Sequence, residues 1–199
     1  MLFRSCMLTL ILVALAPPLI QSISNRTART SVAVALNDPT DLPFIRSFVD
    51  NICRITGHAW DKWEAPVVTR YDPGAIFAKH GDASPTLGSE WEFEGGQRVI
   101  TCICYLNNLC DDSGDSGGDS GGGQTYFDQL QIAVTPQRGT ALFFFPADYS
   151  TRRADDRTTH ESLPPIGHEK WIVQLFGRIG PRVPPPLGIP DDFDVATTN

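Results

Sequence analysis

The sequence predicts a single, mainly β domain with one flanking helix, arranged as an antiparallel sandwich or barrel. The chain has 199 residues, 41% of them hydrophobic and 20% charged, which is typical of one globular domain with a real core. After residue 57, short apolar runs are separated by turn residues, without helical periodicity between them. Strands without intervening helices form antiparallel sheets rather than the parallel sheets of βαβ units.

One amphipathic helix is predicted between Asp38 and Gly57. Asp38-Pro39 is typical of an N-cap followed by proline at the first helical position, and Gly57 supplies a stop. The apolar residues between them recur three and four positions apart, namely Ile45, Phe48, Val49, Ile52 and Ile55.

Five later segments have strand character. They are bounded by clusters of Gly, Pro and Asp, such as residues 72–74 and 136–139, which indicate turns. The predicted strands are 67–71, 98–106, 130–134, 141–145 and 170–179.

The first 24 residues resemble a signal peptide. Arg4 supplies a basic start, residues 7–16 are apolar, and Ser22-Ile23-Ser24 is a small-x-small cleavage site. The alternative is a membrane anchor, but Pro17-Pro18 interrupts a run that is shorter than the roughly 20 residues needed to span a bilayer. Cleavage predicts the secretory pathway, with the endoplasmic reticulum as the location and no stable membrane insertion.

The net charge of the chain bears on its binding partners, and the composition of the last residues bears on the extent of the folded domain. The net charge is -7, which argues against a nucleic-acid backbone as the main partner. Residues 181–199 are rich in proline and then acidic, and predict an exposed, disordered tail. The folded domain is therefore predicted within residues 25–180.

Four cysteines remain after Cys6, which lies in the predicted signal peptide. None of them forms a CxxC pair, so a structural zinc site is not predicted. The sequence does not determine which of them pair, if any: Cys53, Cys102, Cys104 and Cys110.

Residues 110–123 contain the string GDSGG twice, which is found around the nucleophile of chymotrypsin-like serine proteases. Residues 111–123 consist only of Asp, Ser and Gly, so they have great backbone freedom and lack the rigidity that Ser116 or Ser120 would need as a nucleophile. A calcium loop is also disfavoured, because no bidentate Glu follows. We interpret the stretch as a solvated, low-complexity loop insertion.

A histidine and a carboxylate form the main candidate site. In an extended chain, His80 and Asp82 project to the same side, and His160 can supply a third ligand from elsewhere. Two His and one carboxylate are typical of non-haem Fe(II). Lys170 lies in an apolar strand, where its burial would be costly unless it met an anion such as a dicarboxylic cosubstrate.

Together these residues resemble the catalytic domain of the prolyl 4-hydroxylases, which are 2-oxoglutarate- and Fe(II)-dependent dioxygenases. The similarity runs from about residue 29 to 179, with the motifs in order. The family's YxxGxxFxxHxD run corresponds to Tyr71, Gly74, Phe77, His80 and Asp82, and its RxxTxxxYL strand to Arg98, Thr101, Tyr105 and Leu106. Residues 29–31, 122–127, 135–144 and 160–171 resemble its RTS, GGxTxF, KPxxGxALLF and HxGxPVxxGxKW segments.

The resemblance implies a double-stranded β-helix, or jelly roll, that hydroxylates peptidyl-proline to 4-hydroxyproline. Dioxygen and 2-oxoglutarate would be consumed, succinate and CO2 released, and L-ascorbate would support the iron. No catalytic residue is implied beyond the metal centre. The implied roles are Fe(II) ligation by His80, Asp82 and His160, 2-oxoglutarate binding by Lys170, Tyr71 and Thr101, and contact of Arg98 with a proline-containing peptide.

Three residues depart from the family pattern without removing a ligand. Ser162 and His168 stand where the family has glycine, and Phe176 replaces a tryptophan. The predicted signal peptide also adjoins the RTS segment, where the family has another helix and strands. This leaves either a minimal form or a start that is not the native one. Two alternatives therefore remain: a dioxygenase with another substrate, and a non-catalytic binding module.

Overall fold

The computed structural model describes residues 29–38, 42–86, 94–109 and 121–183. The predicted signal peptide, the repeats at 111–120 and the tail from residue 184 lie outside the described residues. Within them there is one α-helix, α1 (Leu42–Thr56), and nine strands. The strands are β1 (Val32–Ala35), β2 (Val67–Tyr71), β3 (Phe77–His80), β4 (Arg98–Tyr105), β5 (Thr125–Phe127), β6 (Ile132–Val134), β7 (Ala141–Phe144), β8 (His160–Ser162) and β9 (Lys170–Arg178).

Two antiparallel sheets form a sandwich, which confirms the predicted class. One sheet has the order β1-β2-β9-β4-β7 and the other the order β3-β8-β5-β6. Side chains from both sheets meet in a shared core that includes Tyr71, Ile103 and Ile172 from the first sheet and Phe127 from the second. The sandwich therefore has an inner face on each sheet, and the candidate site lies between those faces.

A second core lies on the outer face of the five-stranded sheet, where α1 packs. Val49 and Ile52 of α1 share this core with Cys102 of β4 and Leu175 of β9. α1 ends at Thr56, and the next residue, Gly57, has a left-handed φ of 67°, as predicted for a stop. The described part of α1 begins at Leu42, and the predicted cap at Asp38 stays a prediction because residues 39–41 lie outside the described residues. No helix in the described residues is long and apolar enough to cross a membrane.

Strand β9 lies in the middle of the large sheet and carries residues of the site. It pairs with β2 on one side and β4 on the other. Both of its faces are covered, so most of its residues are buried. Because side chains alternate along a strand, Val173 and Leu175 join the outer core, whereas Lys170 and Ile172 point between the sheets.

The strand predictions were correct in position for the long strands and incomplete for the short ones. The predicted strand at 130–134 begins later, at Ile132, because residues 128–131 form the β5–β6 turn, with Gln131 at a φ of 55°. Strands β1, β5 and β8 were not predicted, and β3 was predicted only as an extended segment. Each of these four has three or four residues, too few to show a clear alternation of apolar and polar residues.

The described cysteines are free thiols. Cys53 is half-buried, whereas Cys102 and Cys104 are buried. The last two lie on the same side of β4, with their Sγ atoms 3.7 Å apart. Cys110 lies outside the described residues.

The buried ring of His58 is expected to make the stability of the fold depend on pH. Its ring is buried beside Trp63, with Nε2 2.7 Å from the carbonyl oxygen of Arg178, and burial lowers its pKa to about 4. The unfolded chain therefore binds a proton near its usual pKa of about 6.5, before the folded chain does. We expect acidification from pH 7 to pH 4.5 to reduce the free energy of unfolding by about 2 kcal/mol through this residue alone.

Urea unfolding of the wild type and of His58→Gln at both pH values measures this contribution. The glutamine variant should lose less stability on acidification, by about the same 2 kcal/mol. An equal loss in both proteins would contradict the assignment to His58.

Candidate active site

His80, Asp82 and His160 converge at one end of the sandwich. The pairing of β3 with β8 places His80 directly opposite His160, and Asp82 follows β3 by two residues. One ligand atom from each residue lies within 4.8 Å of the other two. The Nε2 atom of His80 is 3.7 Å from Asp82 Oδ1, and that of His160 is 4.0 Å from Asp82 Oδ2. This arrangement fits a single metal ion between the three side chains.

Backbone carbonyl groups orient both imidazole rings. His80 Nδ1 lies 2.8 Å from the carbonyl oxygen of Ala78, and His160 Nδ1 lies 3.0 Å from that of Thr158. Each Nδ1–H donates to its carbonyl, which leaves Nε2 as the free lone pair facing Asp82. Burial, and next the neighbouring His160, lower the pKa of His80 to about 4. His80 is therefore neutral near pH 7, as a metal ligand must be.

Thr101 orients the carboxylate of the triad. Its hydroxyl is fully buried and donates to Asp82 Oδ2 at 2.8 Å. The expectation that Thr101 also helps Lys170 to bind the cosubstrate stays a prediction. The register of β4 with β9 places Thr101 opposite Phe176, six residues from Lys170, whereas Tyr105 lies opposite Ile172. Thr101 therefore acts on the metal end of the site.

Lys170 is a buried cation without a carboxylate partner among the described residues. Its side chain is 1% exposed, and Nζ donates to Ser162 Oγ at 2.7 Å. Nζ also lies 4.9 Å from the centre of the Tyr71 ring and 5.9 Å from that of Tyr105. Burial lowers the pKa of Lys170 to about 7. A neutral hydroxyl and two aromatic faces leave most of this charge available to an anion.

Tyr71 lies between Lys170 and the start of the described chain. Burial raises the pKa of its phenol, and Arg29, Ser31 and Ser162 oppose that rise. Arg29 itself donates to Ser31 Oγ at 2.7 Å and to Thr69 Oγ1 at 3.2 Å. The RTS segment therefore belongs to the wall of the site.

Sequence reasoning missed three contributors to the site. Ser162 had been noted only as a departure from the family pattern, yet it holds Lys170. It lies two residues after His160 on β8, so strand alternation alone would have placed both on one face. Arg29 and Phe77 were noted only as motif positions, but the Arg29 guanidinium lies 4.6 Å from the centre of the Phe77 ring, which stacks on His80 at 3.7 Å.

Arg98 lies farther along the same inner face, in a network of charges. It makes two hydrogen bonds to Glu64, at 2.6 and 2.8 Å, and its guanidinium lies 3.8 Å from the centre of the Phe176 ring. Arg178 also donates to Glu64, at 2.7 Å, and to Glu94, at 3.2 Å. We call Glu64, Glu94, Arg98 and Arg178 the rim cluster. Its contact with a peptide stays a prediction.

A narrow pocket joins the buried cation to the metal ligands. Tyr71, His80, His160, Lys170 and Gln174 all line it. A larger cavity of about 920 Å³ lies elsewhere, beside His58, Phe145 and Arg157, and none of the predicted site residues lines it. The chemistry therefore belongs to the narrow pocket.

Comparison with known proteins agrees with this geometry. Residues 66–178 match the model of the 2OG-Fe(II) oxygenase superfamily. A prolyl 4-hydroxylase-like protein of Acanthamoeba polyphaga mimivirus is 32% identical over 139 residues, which are 68% of this chain and 53% of that protein. Prolyl 4-hydroxylase 13 of Arabidopsis thaliana is 25% identical over 147 residues, 71% of this chain and 52% of that protein. The chain thus spans about half the length of these two relatives.

Solved structures share the fold. The viral collagen prolyl hydroxylase of Paramecium Bursaria Chlorella virus-1, in its 2OG complex, aligns with a TM-score of 0.58 and 27% identity over 75% of this chain and 78% of that one. A Pseudomonas putida prolyl-4-hydroxylase aligns with a TM-score of 0.51 and 20% identity over 76% of this chain and 73% of that one. These likenesses confirm the double-stranded β-helix predicted from the sequence. With its His-Asp-His cluster and with more than half of its length matched by the family model, the chain belongs to the 2OG-Fe(II) oxygenase superfamily.

Proposed function

We propose that this protein hydroxylates peptidyl-proline to 4-hydroxyproline, using Fe(II), 2-oxoglutarate and dioxygen. The observation that carries the proposal is one pocket lined both by His80 and His160 of the candidate metal triad and by the buried Lys170. A dicarboxylate with a keto acid at one end would complement both groups: the keto acid would chelate a metal held by the triad, and the distal carboxylate would pair with Lys170. The names of the relatives favour proline as the acceptor.

The chain's own residues would bind and orient the reactants. His80, Asp82 and His160 fit Fe(II) and leave positions open for a chelating keto acid and for dioxygen. Lys170, with the hydroxyl of Ser162 beside it, would pair with the distal carboxylate of 2-oxoglutarate. The bound iron would supply the chemistry that couples oxidation of the keto acid to oxidation of the substrate carbon.

Aromatic side chains shield this centre from water. The ring of His160 lies 4.9 Å from that of Phe144 and 5.4 Å from that of Phe127. Phe77 covers His80 at 3.7 Å. Because these rings exclude water, they would strengthen the electrostatic contacts of the bound reactants and limit side reactions.

The proposal also includes a reductant and a location. L-ascorbate is proposed as the reductant that keeps the iron in its Fe(II) state between turnovers. The endoplasmic reticulum is proposed as the location because residues 1–24 resemble a signal peptide. Both the substrate and the location are open to direct measurement.

The proposal predicts coupled products in a reconstituted assay. Purified protein with Fe(II), ascorbate, 2-oxoglutarate and proline-rich peptides should form succinate and add one oxygen atom to the peptide. The variant His160→Ala should lose both products, because two ligands hold iron more weakly than three. His168→Ala is the matched control, since His168 is exposed, and it should keep wild-type rates.

The possible failures separate the alternatives. Succinate formation without any change in the peptides would favour a dioxygenase with another substrate. Absence of succinate and of oxygen transfer in the wild type, with iron bound, would contradict the enzyme and favour a binding module.

A further inference from the structure

We propose that Ser162 limits the length of the keto acid that the pocket accepts, so that 2-oxoglutarate binds more tightly than its longer homologue 2-oxoadipate. This inference rests on the proposed function and deepens it, because it assigns a specificity-determining residue to the cosubstrate. Three features support it: the place of Ser162 on β8, the pairing that fixes this strand, and the packing that confines Lys170.

Strand β8 carries a contact to each of the two groups that would bind the keto acid. His160 belongs to the candidate metal triad, and Ser162 Oγ accepts a hydrogen bond from Lys170 Nζ at 2.7 Å. Both residues line the same pocket. Because a strand rises about 3.3 Å per residue and alternate residues share a face, the two lie about 7 Å apart along β8. The strand thus sets the separation between a metal ligand and the residue that holds the ammonium group.

The neighbouring strands fix Ser162 relative to His160. β8 lies between β3 and β5 in the four-stranded sheet. Ser162 is opposite Phe77 on one side and Thr125 on the other, and it is 7% exposed. A strand that is paired on both sides shifts only if its hydrogen bonds break. Ser162 is therefore a rigid part of the wall.

The ammonium group of Lys170 is confined beside Ser162. Lys170 is 1% exposed, and Nζ lies 4.9 Å from the centre of the Tyr71 ring. Its stem packs on Gly123, where a Cβ would lie 3.4 Å from Lys170 Cδ. With an enclosed stem and a hydrogen bond to Ser162, Nζ has little freedom to follow a longer ligand.

An acid of greater length does not fit this fixed geometry. 2-Oxoglutarate has two methylene groups between its keto group and its distal carboxylate, whereas 2-oxoadipate has three. With carbon–carbon bonds of about 1.5 Å, the third methylene lengthens an extended acid by roughly 1.3 Å. Hydrogen-bond distances vary by only about 0.5 Å. 2-Oxoadipate must therefore buckle or lose its contact with Lys170.

The side chain of Ser162 supplies the steric limit. Its Cβ and Oγ fill space beside Lys170 Nζ that glycine, the residue of the family pattern at this position, leaves open. A longer acid needs that space for its additional methylene group. One methylene group in a close-fitting pocket changes affinity by about 10- to 200-fold, so the selectivity is large enough to measure.

Calorimetry of the two acids tests the role of Ser162 without turnover. The Fe(II)-loaded protein is titrated with each acid in the absence of dioxygen. The wild type should bind 2-oxoglutarate at least about tenfold more tightly than 2-oxoadipate. In Ser162→Gly this ratio should fall to about threefold or less, because the longer acid can use the vacated space. Each ratio compares two ligands on one protein, so partial unfolding of a variant does not change it.

Two further variants separate the volume of the side chain from its hydrogen bond. Ser162→Ala removes the hydroxyl and keeps Cβ, so it should weaken the binding of both acids and give an intermediate ratio. Ser162→Thr keeps the hydroxyl and adds a methyl group, so it should bind 2-oxoglutarate and give a ratio above that of the wild type. Ser150→Gly is the control, since Ser150 is exposed and outside the lining of the pocket, and it should keep the wild-type ratio.

Failure of this inference differs from failure of the proposed function. If the wild type binds 2-oxoglutarate but the ratio is the same in Ser162→Gly, or falls in Ser162→Thr, the role of Ser162 alone is overturned. A wild type that binds both acids equally well has the same consequence. If the iron-loaded wild type binds neither acid, the proposed function is overturned too.

Discussion

Replacement of Lys170 by methionine is expected to weaken 2-oxoglutarate binding by about 100-fold, without loss of stability. A charge pair buried in a binding site is worth about 3 kcal/mol when one partner is removed, which corresponds to this factor. The fold does not need the charge, because burial already lowers the pKa of Lys170 to about 7 and its hydrogen bond goes to the neutral Ser162. Methionine keeps the length of the side chain and removes the cost of burying the ammonium group.

Calorimetry of 2-oxoglutarate binding to the metal-loaded protein measures the loss, and thermal unfolding measures stability. Lys62→Met is the control for a lost lysine charge outside the lining of the pocket, and it should keep wild-type affinity. The wild type should also bind 2-oxoglutarate more weakly as the pH rises above about 7, since Lys170 must then take up a proton. Unchanged affinity in Lys170→Met would show that another residue holds the distal carboxylate.

The sequence was sufficient for those parts of the fold that depend on local patterns. β9 and β4 were predicted because long, apolar strands keep their character over eight or nine residues. β5 and β8 have three residues each, and they exist because they pair with each other. Such pairing depends on contacts between distant residues, which a single sequence does not reveal.

The candidate site, too, was predicted from the sequence only where it depends on local spacing. His80 and Asp82 were identified from their spacing, because a strand places alternate residues on one side. The hydrogen bond from Thr101 to Asp82 was not predicted, since the position of Thr101 depends on the register between β4 and β9. The contacts of Glu64 were also not predicted. Its hydrogen-bond partners, Arg98 and Arg178, lie 34 and 114 residues later in the chain, so only the fold brings them together.

Replacement of Glu64 by glutamine is expected to reduce the free energy of unfolding by about 3 kcal/mol at pH 7, as removal of one partner from a buried ion pair does. Glu64 and Arg178 are largely buried, with side chains 13% and 3% exposed. The amide of glutamine cannot compensate the charges of two arginines, and Glu94, the other carboxylate that contacts Arg178, is more exposed. Asp128→Asn is the matched control: it breaks the exposed pair with Lys79 and should cost much less stability than Glu64→Gln, because solvent screens an exposed pair.

The pH dependence of the Glu64→Gln effect separates lost charge from lost packing. Burial alone would raise the pKa of Glu64, but the hydrogen bond from Arg98 and the charges of Arg98, Arg178 and Arg182 together lower it. A lowered carboxyl pKa stabilises the fold above the unfolded value of about 4.5, and this stabilisation is lost as the pH falls through the folded value. Urea unfolding should therefore show the wild type and Glu64→Gln converging below pH 4. A difference that stays constant down to pH 3 would mean that the carboxylate matters for its shape rather than its charge.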